Sequence, residues 1–232
     1  MAPEALRAWT GAFARHLPER RPLALLDLGC GTGRLTPALA DAFGGSAVGI
    51  EPSRMMLRHA VADAAHPRVG YLTGSAEAIP LAAGSADAAL LFFVWHHVAD
   101  KQAAAAELHR VVRPGGRLLV RTNCSDRMPD LWWYRWLPGA ALADQRMYRP
   151  LDAVVADFTG AGWSWRTVDE VAVTQAVSIR EDFARLRTRA LSTFEHLPGD
   201  EVERGFGDIE AALPTIGDAP VPSRGDLLVF TH

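Results

Sequence analysis

Leu25-Leu26-Asp27-Leu28-Gly29-Cys30-Gly31-Thr32-Gly33-Arg34 runs a short apolar segment into three closely spaced glycines and then into a stretch with helical spacing. Glycines at such a turn let the backbone reverse sharply and approach a ligand where a Cβ would collide. The spacing is G-x-G-x-G, whereas the dinucleotide fingerprint needs G-x-G-x-x-G, and no Gly-Lys-Ser/Thr closes the loop as in a P-loop. Both a dehydrogenase and a P-loop nucleotidase therefore fit poorly. Glu51 lies twenty-two residues beyond Gly29, just after a second apolar run, Ala47 to Ile50. A carboxylate there can accept hydrogen bonds from both ribose hydroxyls of an adenosine lying across the switch point of a parallel sheet. It can equally cap the helix that Pro52-Ser53 opens.

Outward from the loop, short apolar runs alternate with amphipathic stretches, the pattern of a parallel sheet covered by helices. Arg34 to Phe43 and the segment from Ser53 onward have helical spacing, and Val69 to Thr73 is a third strand. Asp87 to Phe93 is too continuously apolar for a one-sided sheet, which places it in the sheet centre. Gln102 to Val112 is a helix stopped by Arg113-Pro114-Gly115-Gly116, and Arg117 to Arg121 is a fifth strand. Beyond Thr122 come a tryptophan-rich segment, a helix from Leu151 to Thr159 and a strand from Trp163 to Thr174. Ser178 with Glu181 predicts a capping box and a helix to about Phe194, and a second helix follows around Val202 to Leu213. Asp226 to Thr231 closes the chain as a strand. A helical insertion over 178–213 between the last two strands is a natural lid.

These motifs together resemble the class I S-adenosylmethionine-dependent methyltransferases, within them the type 11 small-molecule group. The resemblance covers residues 23–122, through LLDLGCGTGRLT, VGIEPSRMML, YLTGSAEAIPLAAGSAD and RVVRPGGRLLV in the family's order and spacing. It implies an α/β, Rossmann-like fold with a seven-stranded, mostly parallel sheet in the order 3-2-1-4-5-7-6, helices on both faces and an antiparallel last strand. The whole chain, 1–232, is then a single methyltransferase domain: 23–122 form the cofactor-binding core, and 123–150 and 178–213 cover the substrate. The resemblance also implies S-adenosylmethionine as cofactor, S-adenosylhomocysteine as product and no metal. Asp27 would hold the methionine amino end through the loop, Gly29, Gly31 and Gly33 would form the cradle, and Glu51 would take the ribose. Cys30, Thr32, Pro52, Phe92 and Phe93 complete the expected cofactor set around these motifs. The family's G-D-A-E beside the adenine is here Gly74-Ser75-Ala76-Glu77. Ser75 replaces the aspartate that binds the adenine amino group, while the Ala76 N–H still reaches a ring nitrogen. Met55 or Met56 would pack on the adenine side, although for Met56 packing on a helix face accounts better for the residue.

An oxygen or nitrogen acceptor that must lose a proton gains from a nearby base. His96 and His97 follow the fourth strand at the ligand-binding edge of the sheet. They are the candidate catalytic residues, with His97 the stronger, against a purely structural role. Cys30 reads as a small loop residue, and Cys124 has no histidine motif to make it a nucleophile. Trp132 and Trp136, four apart, would share a helix face and either wall a substrate pocket or bury the lid. Arg135, Arg146 and Arg149 can meet an acidic substrate or water.

The 232 residues bound the answer at one domain, with 49% hydrophobic and 22% charged residues. Lys101 is the only lysine among 24 basic residues, against 27 acidic ones, so the basic field of a nucleic-acid binder is missing. Two cysteines are too few for a disulfide framework. No basic-then-apolar leader or membrane-length apolar run is present, and the expected location is the cytoplasm. The leading expectation is thus an enzyme transferring a methyl group by in-line displacement to a small-molecule O, N or C acceptor, with bacterial secondary metabolism as its setting. Membrane and nucleic-acid partners are not expected. Transfer to RNA, or a cofactor-binding relative that activates a partner or performs ring-forming or isomerase chemistry, are the alternatives.

Overall fold

The computed structural model describes residues 3–232. In chain order the elements are α1 (Pro3–His16), β1 (Leu25–Leu28), α2 (Thr36–Phe43), β2 (Ala47–Glu51), α3 (Arg54–Asp63), β3 (Val69–Thr73) and β4 (Ala86–Phe92). Then follow α4 (Lys101–Val111), β5 (Val112–Thr122), α5 (Pro138–Met147), α6 (Leu151–Thr159), β6 (Ser164–Ala176), α7 (Ile179–Leu186), α8 (Gly199–Ile216) and β7 (Val221–Thr231). Short 3₁₀ turns occupy Trp95–His97 and Ser192–His196. The strands form one seven-stranded sheet ordered β3-β2-β1-β4-β5-β7-β6. The first five run parallel, and β7 is antiparallel to both its neighbours. This is the expected class I order. Among the described residues no helix is long and apolar enough to cross a membrane.

Period-two alternation divides the core between the faces of the sheet. Leu26, Leu28, Ala89, Leu91, Leu118 and Val120 point to one side, where α4 and α6 cover them with Leu108 and Phe158. Leu25, Ala88, Leu90, Leu119 and Val229 point to the other, against Trp9 and Phe13 of α1 and Leu39 and Phe43 of α2. Asp27 shares this second face and is carried under the start of α2. A third, separate cluster joins Trp133, Leu137, Phe183, Leu186, Phe194, Phe206 and Ile209. It belongs to the covering segments rather than the sheet.

Several boundaries differ from the sequence expectation. The Arg113-Pro114-Gly115-Gly116 stop does not end pairing, because β5 starts at Val112 opposite Ala86, bulges at this tetrapeptide and resumes at Arg117 opposite Ala88. The bulge absorbs the proline and the positive φ of Gly115 (76°) without breaking the strand. The helix expected to reach Phe194 stops at Leu186, and a separate 3₁₀ turn carries Phe194. Ser178 Oγ does accept the Glu181 N–H (3.1 Å), but Glu181 Oε2 reaches back to the Val177 N–H (3.1 Å) instead of the Ser178 N–H. The segment 131–137 is a chain of i→i−3 turns rather than an α-helix, as in Tyr134 N–H to Leu131 O at 3.0 Å and Trp136 N–H to Trp133 O at 3.1 Å. Trp132 and Trp136 still meet, edge to face at 5.7 Å.

Candidate active site

The glycine loop sits at the C-terminal edge of β1, between β2 and β4. Gly29 adopts φ 72°, and a Cβ there would lie 2.4 Å from Val94 Cγ2, so only glycine fits. Gly31, at φ 56°, faces open space, with nothing within 4 Å of a built Cβ. That opening is where a ligand backbone or sugar can approach closely. Glu51 is 7% exposed. Its Oε2 accepts the Gly31 N–H at 3.0 Å and its Oε1 the Ser53 N–H at 2.9 Å, so one carboxylate ties the loop after β1 to the start of α3. The side chain thus serves the turn into α3 and the glycine loop at once, and it stands behind the loop without lining a cavity. Asp27 is buried and accepts from Thr36 Oγ1 at 2.6 Å. Burial raises its pKa to about 6, with the Thr36 bond opposing and the Glu51 charge adding to the rise.

Three cavities meet here. One of about 570 Å³ is lined by Asp27, Gly29, Cys30, Gly31, Thr32, Phe92 and Phe93 and roofed by Ala5 and Trp9 of α1. A small one of about 100 Å³ is formed by Gly29, Pro52, Ser75, Ala76, Glu77 and His97. The third, about 500 Å³, lies under the covering segments, between His96, His97, Trp133, Tyr148 and Thr193. The first and third share Met56, Phe93, Arg121, Gln175, Arg185 and Leu191, so they form one continuous cleft. Their sizes suit small ligands.

Most of the expected cofactor residues therefore come together around these cavities, but Glu51, Gly33 and Met55 line none of the three. Gly33 lies on the outer side of the loop, packed so that a Cβ would meet Tyr71 Oη at 2.5 Å, and it borders a separate depression with Arg34 and His59. Met55 is 60% exposed and touches none of the three cavities, because α3 turns it to solvent. Met56 does face the cleft, although it too is exposed. Ser75 leaves the small cavity without the family's aspartate, and Glu77 remains as the nearest carboxylate in its wall.

The two histidines differ. His96 stacks on His97 (3.9 Å) and against Tyr148 (4.8 Å), and its Nδ1 is buried without a partner. Burial, helped by the His97 and Lys101 charges, pushes its pKa down to about 3, which leaves it neutral and a weak proton acceptor. His97 is more open, borders both the small cavity and the large one, and places Nε2 3.3 Å from Ser192 Oγ. Burial raises the Cys30 thiol to about 12 and the Cys124 thiol likewise, so neither is a thiolate nucleophile at neutral pH.

Of the tryptophans, Trp133 lines the cleft, while Trp132 and Trp136 sit outside that lining and pack against the covering cluster. Trp132 Nε1 donates to the buried Asp182 at 2.9 Å, which assigns it to holding the cover together. Arg149 pairs with Asp157, and Arg135 lies over the Trp136 ring at 4.1 Å. Arg121, a buried cation shared by both large cavities, was not among the residues expected from the sequence. The available signal was a charge at the end of an otherwise apolar inner strand, Leu118-Leu119-Val120-Arg121. Among the described residues no group of three or more His, Cys, Asp and Glu is arranged to hold a metal ion.

A family model described as a methyltransferase domain matches residues 26–120. An uncharacterised methyltransferase of Mycobacterium tuberculosis is 41% identical over 138 residues, covering 55% of this chain and 54% of that protein. The chain thus spans about half the length of these mycobacterial relatives. A ubiquinone/menaquinone biosynthesis C-methyltransferase of Syntrophotalea carbinolica is 36% identical over 167 residues, 67% of this chain and 70% of that protein. The crystal structure of a methyltransferase from an antibiotic biosynthesis pathway of Anabaena variabilis superposes with a TM-score of 0.76 at 22% identity, over 98% of this chain and 99% of that one. That last likeness concerns the fold.

Proposed function

The chain belongs to the type 11 group of the class I S-adenosylmethionine-dependent methyltransferases, and from that premise we propose that it methylates a small molecule enclosed beneath its helical cover. The observation that carries this is the continuity of the glycine-loop cavity with the covered cavity across Phe93 and Arg121. The donor side and the acceptor side share one space.

The residues present fit the cofactor. Gly31 leaves room for close approach, and Asp27 and Glu51 supply two carboxylates for a cationic amino end and a ribose. The Pro52, Ser75, Ala76 and Glu77 cavity has an apolar wall suited to a flat base. Bound there, S-adenosylmethionine supplies a methyl group on a sulfonium, so that the bond to the acceptor forms as the methyl–sulfur bond breaks and S-adenosylhomocysteine is left. The chain's own task is alignment, worth about 7–11 kcal/mol when two reactants are held well. The cover lies over the acceptor side, and α1 borders the donor side through Ala5 and Trp9. His97, at the junction of the cavities, is the group suited to take a proton from an O or N acceptor. His96 holds the imidazole pair in place.

A setting in bacterial secondary metabolism and a cytoplasmic location belong to the same proposal. Calorimetry with S-adenosylhomocysteine tests the cofactor, and incubation of a cell lysate with methyl-labelled S-adenosylmethionine tests the acceptor class. Label in the small-molecule fraction is expected. Label in RNA would transfer the function to nucleic acid, and binding without any labelled product would favour a cofactor-holding module.

A further inference from the structure

Arg121 stands at the C-terminal end of β5 and is only 5% exposed. Its guanidinium lies over the Phe93 ring, 4.2 Å from the centroid, with the Trp9 ring 5.1 Å away. Phe93 adopts a left-handed backbone (φ 59°), a conformation that costs a residue with a Cβ and is retained where something fixes it. Its N–H donates to Arg121 O at 2.8 Å, so the strained turn and the arginine are held as one unit. Gly225 of β7 leaves the room: a Cβ there would stand 2.5 Å from Arg121 Nε. Phe93, Trp9 and Gly225 thus form a slot shaped around one guanidinium.

The charge in that slot has no counterpart. Nη1 donates to Thr122 O at 2.6 Å and Asn123 Oδ1 at 3.2 Å, while Nε is buried without an acceptor. Among the described residues no carboxylate forms an ion pair with Arg121. The nearby acids are engaged elsewhere: Asp226 pairs with Arg127 at 2.6 Å, and Asp144 accepts from Tyr134 Oη and Thr193 Oγ1, each at 2.6 Å. Arg185, the other arginine lining the covered cavity, is bound to Asp182 at 2.8 Å. Burial lowers the Arg121 pKa to about 10, against the raising influence of Tyr148 and Asp226, so the cation persists at neutral pH. A buried, uncompensated cation is costly unless a ligand brings the opposite charge.

Resting on the methyltransferase reading, we propose that the acceptor is an aromatic or apolar acid whose carboxylate pairs with Arg121 while its body lies against Phe93, Trp133 and Tyr148. One guanidinium matches a monoanion in charge, and its planar fork matches a carboxylate in shape. A phosphate dianion would call for a second free cation, and in the covered cavity the other arginine, Arg185, is already held by Asp182. The methionine carboxylate of the cofactor has the same chemistry. Arg121, however, sits two strands from the glycine loop, beyond β4, and its Nη1 is bonded to Asn123 on the side of the cover.

The test uses fluorine NMR on the full chain saturated with S-adenosylhomocysteine, titrated with para-fluorobenzoate and with its neutral isostere para-fluorobenzamide. The expected result is a preference for the acid of about tenfold or more, the scale of a charge-assisted hydrogen bond. Arg121→Met should abolish the preference and leave S-adenosylhomocysteine affinity unchanged. Gly225→Ala, which keeps the charge but crowds it, should narrow the preference, and it serves if Arg121→Met does not fold. Equal binding of the two probes by the natural chain overturns the proposal. So does a preference that survives Arg121→Met, or a loss confined to S-adenosylhomocysteine, which would give Arg121 to the cofactor. If the natural chain prefers the acid yet binds no S-adenosylhomocysteine, the anion site stands and the methyltransferase reading falls.

Discussion

Glu51 and Gly31 are joined across the head of the sheet: the carboxylate that ends β2 accepts the N–H of the loop that follows β1, at 3.0 Å. The same side chain accepts the Ser53 N–H that begins the turn into α3. The donor-side cavity is therefore braced before any ligand arrives, and the brace is the group proposed to receive the ribose. Pre-placement of this kind reduces the ordering cost of binding.

Glu51→Ala removes an acceptor from two backbone N–H groups and from the ribose together. Hydrogen bonds to a charged group contribute about 1.5–3 kcal/mol each, so S-adenosylhomocysteine affinity should fall by about tenfold or more. Glu51→Gln keeps one acceptor oxygen and should fall between the two. Calorimetry on the three proteins checks this, and an unchanged Kd for Glu51→Ala would remove the ribose assignment.

Asp27 links stability and binding to pH. Its pKa rises on folding from 3.8 to about 6, so the native chain holds this proton more tightly than the unfolded one. The stability gained by protonation is fully present below about pH 3.8 and is lost as pH rises through 6. Above that, the ionised carboxylate is carried as a cost of up to about 3 kcal/mol. Asp27→Asn should therefore be more stable than the natural chain at pH 7 in urea unfolding, with the difference shrinking towards pH 4. The proposed contact to a cationic amino end predicts the opposite for the ligand: S-adenosylhomocysteine affinity rises through pH 6 in the natural chain and is flat and weaker in Asp27→Asn.

The parts legible in the sequence are those where one short segment carries both structure and chemistry. Leu25 to Gly33 shows its turn and its opening in nine residues, and the continuous apolar run before Phe93 marks a strand buried on both faces. The slot around Arg121 was not legible, because it is assembled from Trp9, Phe93 and Gly225, each on a different element. Helical spacing left two readings for Trp132 and Trp136, a pocket wall or burial of the lid, and their packing in the covering cluster fits the second. The segment 131–137 turns with period three, and of its tryptophans Trp133 is the one that lines the cleft. Which of three neighbouring tryptophans faces inward is decided by packing against Phe194, far along the chain (5.8 Å between rings).

Asp182 is the polar centre of the cover. It is fully buried and accepts from Trp132 Nε1 (2.9 Å), Gln175 Nε2 (3.2 Å) and Arg185 Nε (2.9 Å). Breaking a buried charged cluster costs about 3–5 kcal/mol, and because Arg185 can turn to water, Asp182→Ala should lie near the lower end. The cluster around Trp133 and Phe206 is separate from both sheet clusters, so the loss should be local. Hydrogen exchange should quicken in α5, α7 and α8 while β1 and β4 keep their protection. Equal quickening in the sheet would show that the cover has no independent stability.

His97 separates a chemical role from a mechanical one. Its Nε2 lies 3.3 Å from Ser192 Oγ, so it touches the cover as well as both cavities. As proton acceptor it would contribute roughly 10² to 10⁴ in rate, and His97→Ala should lower kcat by that order with S-adenosylhomocysteine affinity unchanged. Ser192→Ala removes only the contact to the cover and should retain most of the turnover. If both variants lose turnover alike, His97 acts by holding the cover closed; if neither does, the acceptor needs no base. The measurement is the initial rate of label transfer to the acceptor isolated from lysate, with the Kd of S-adenosylhomocysteine taken in parallel for each variant.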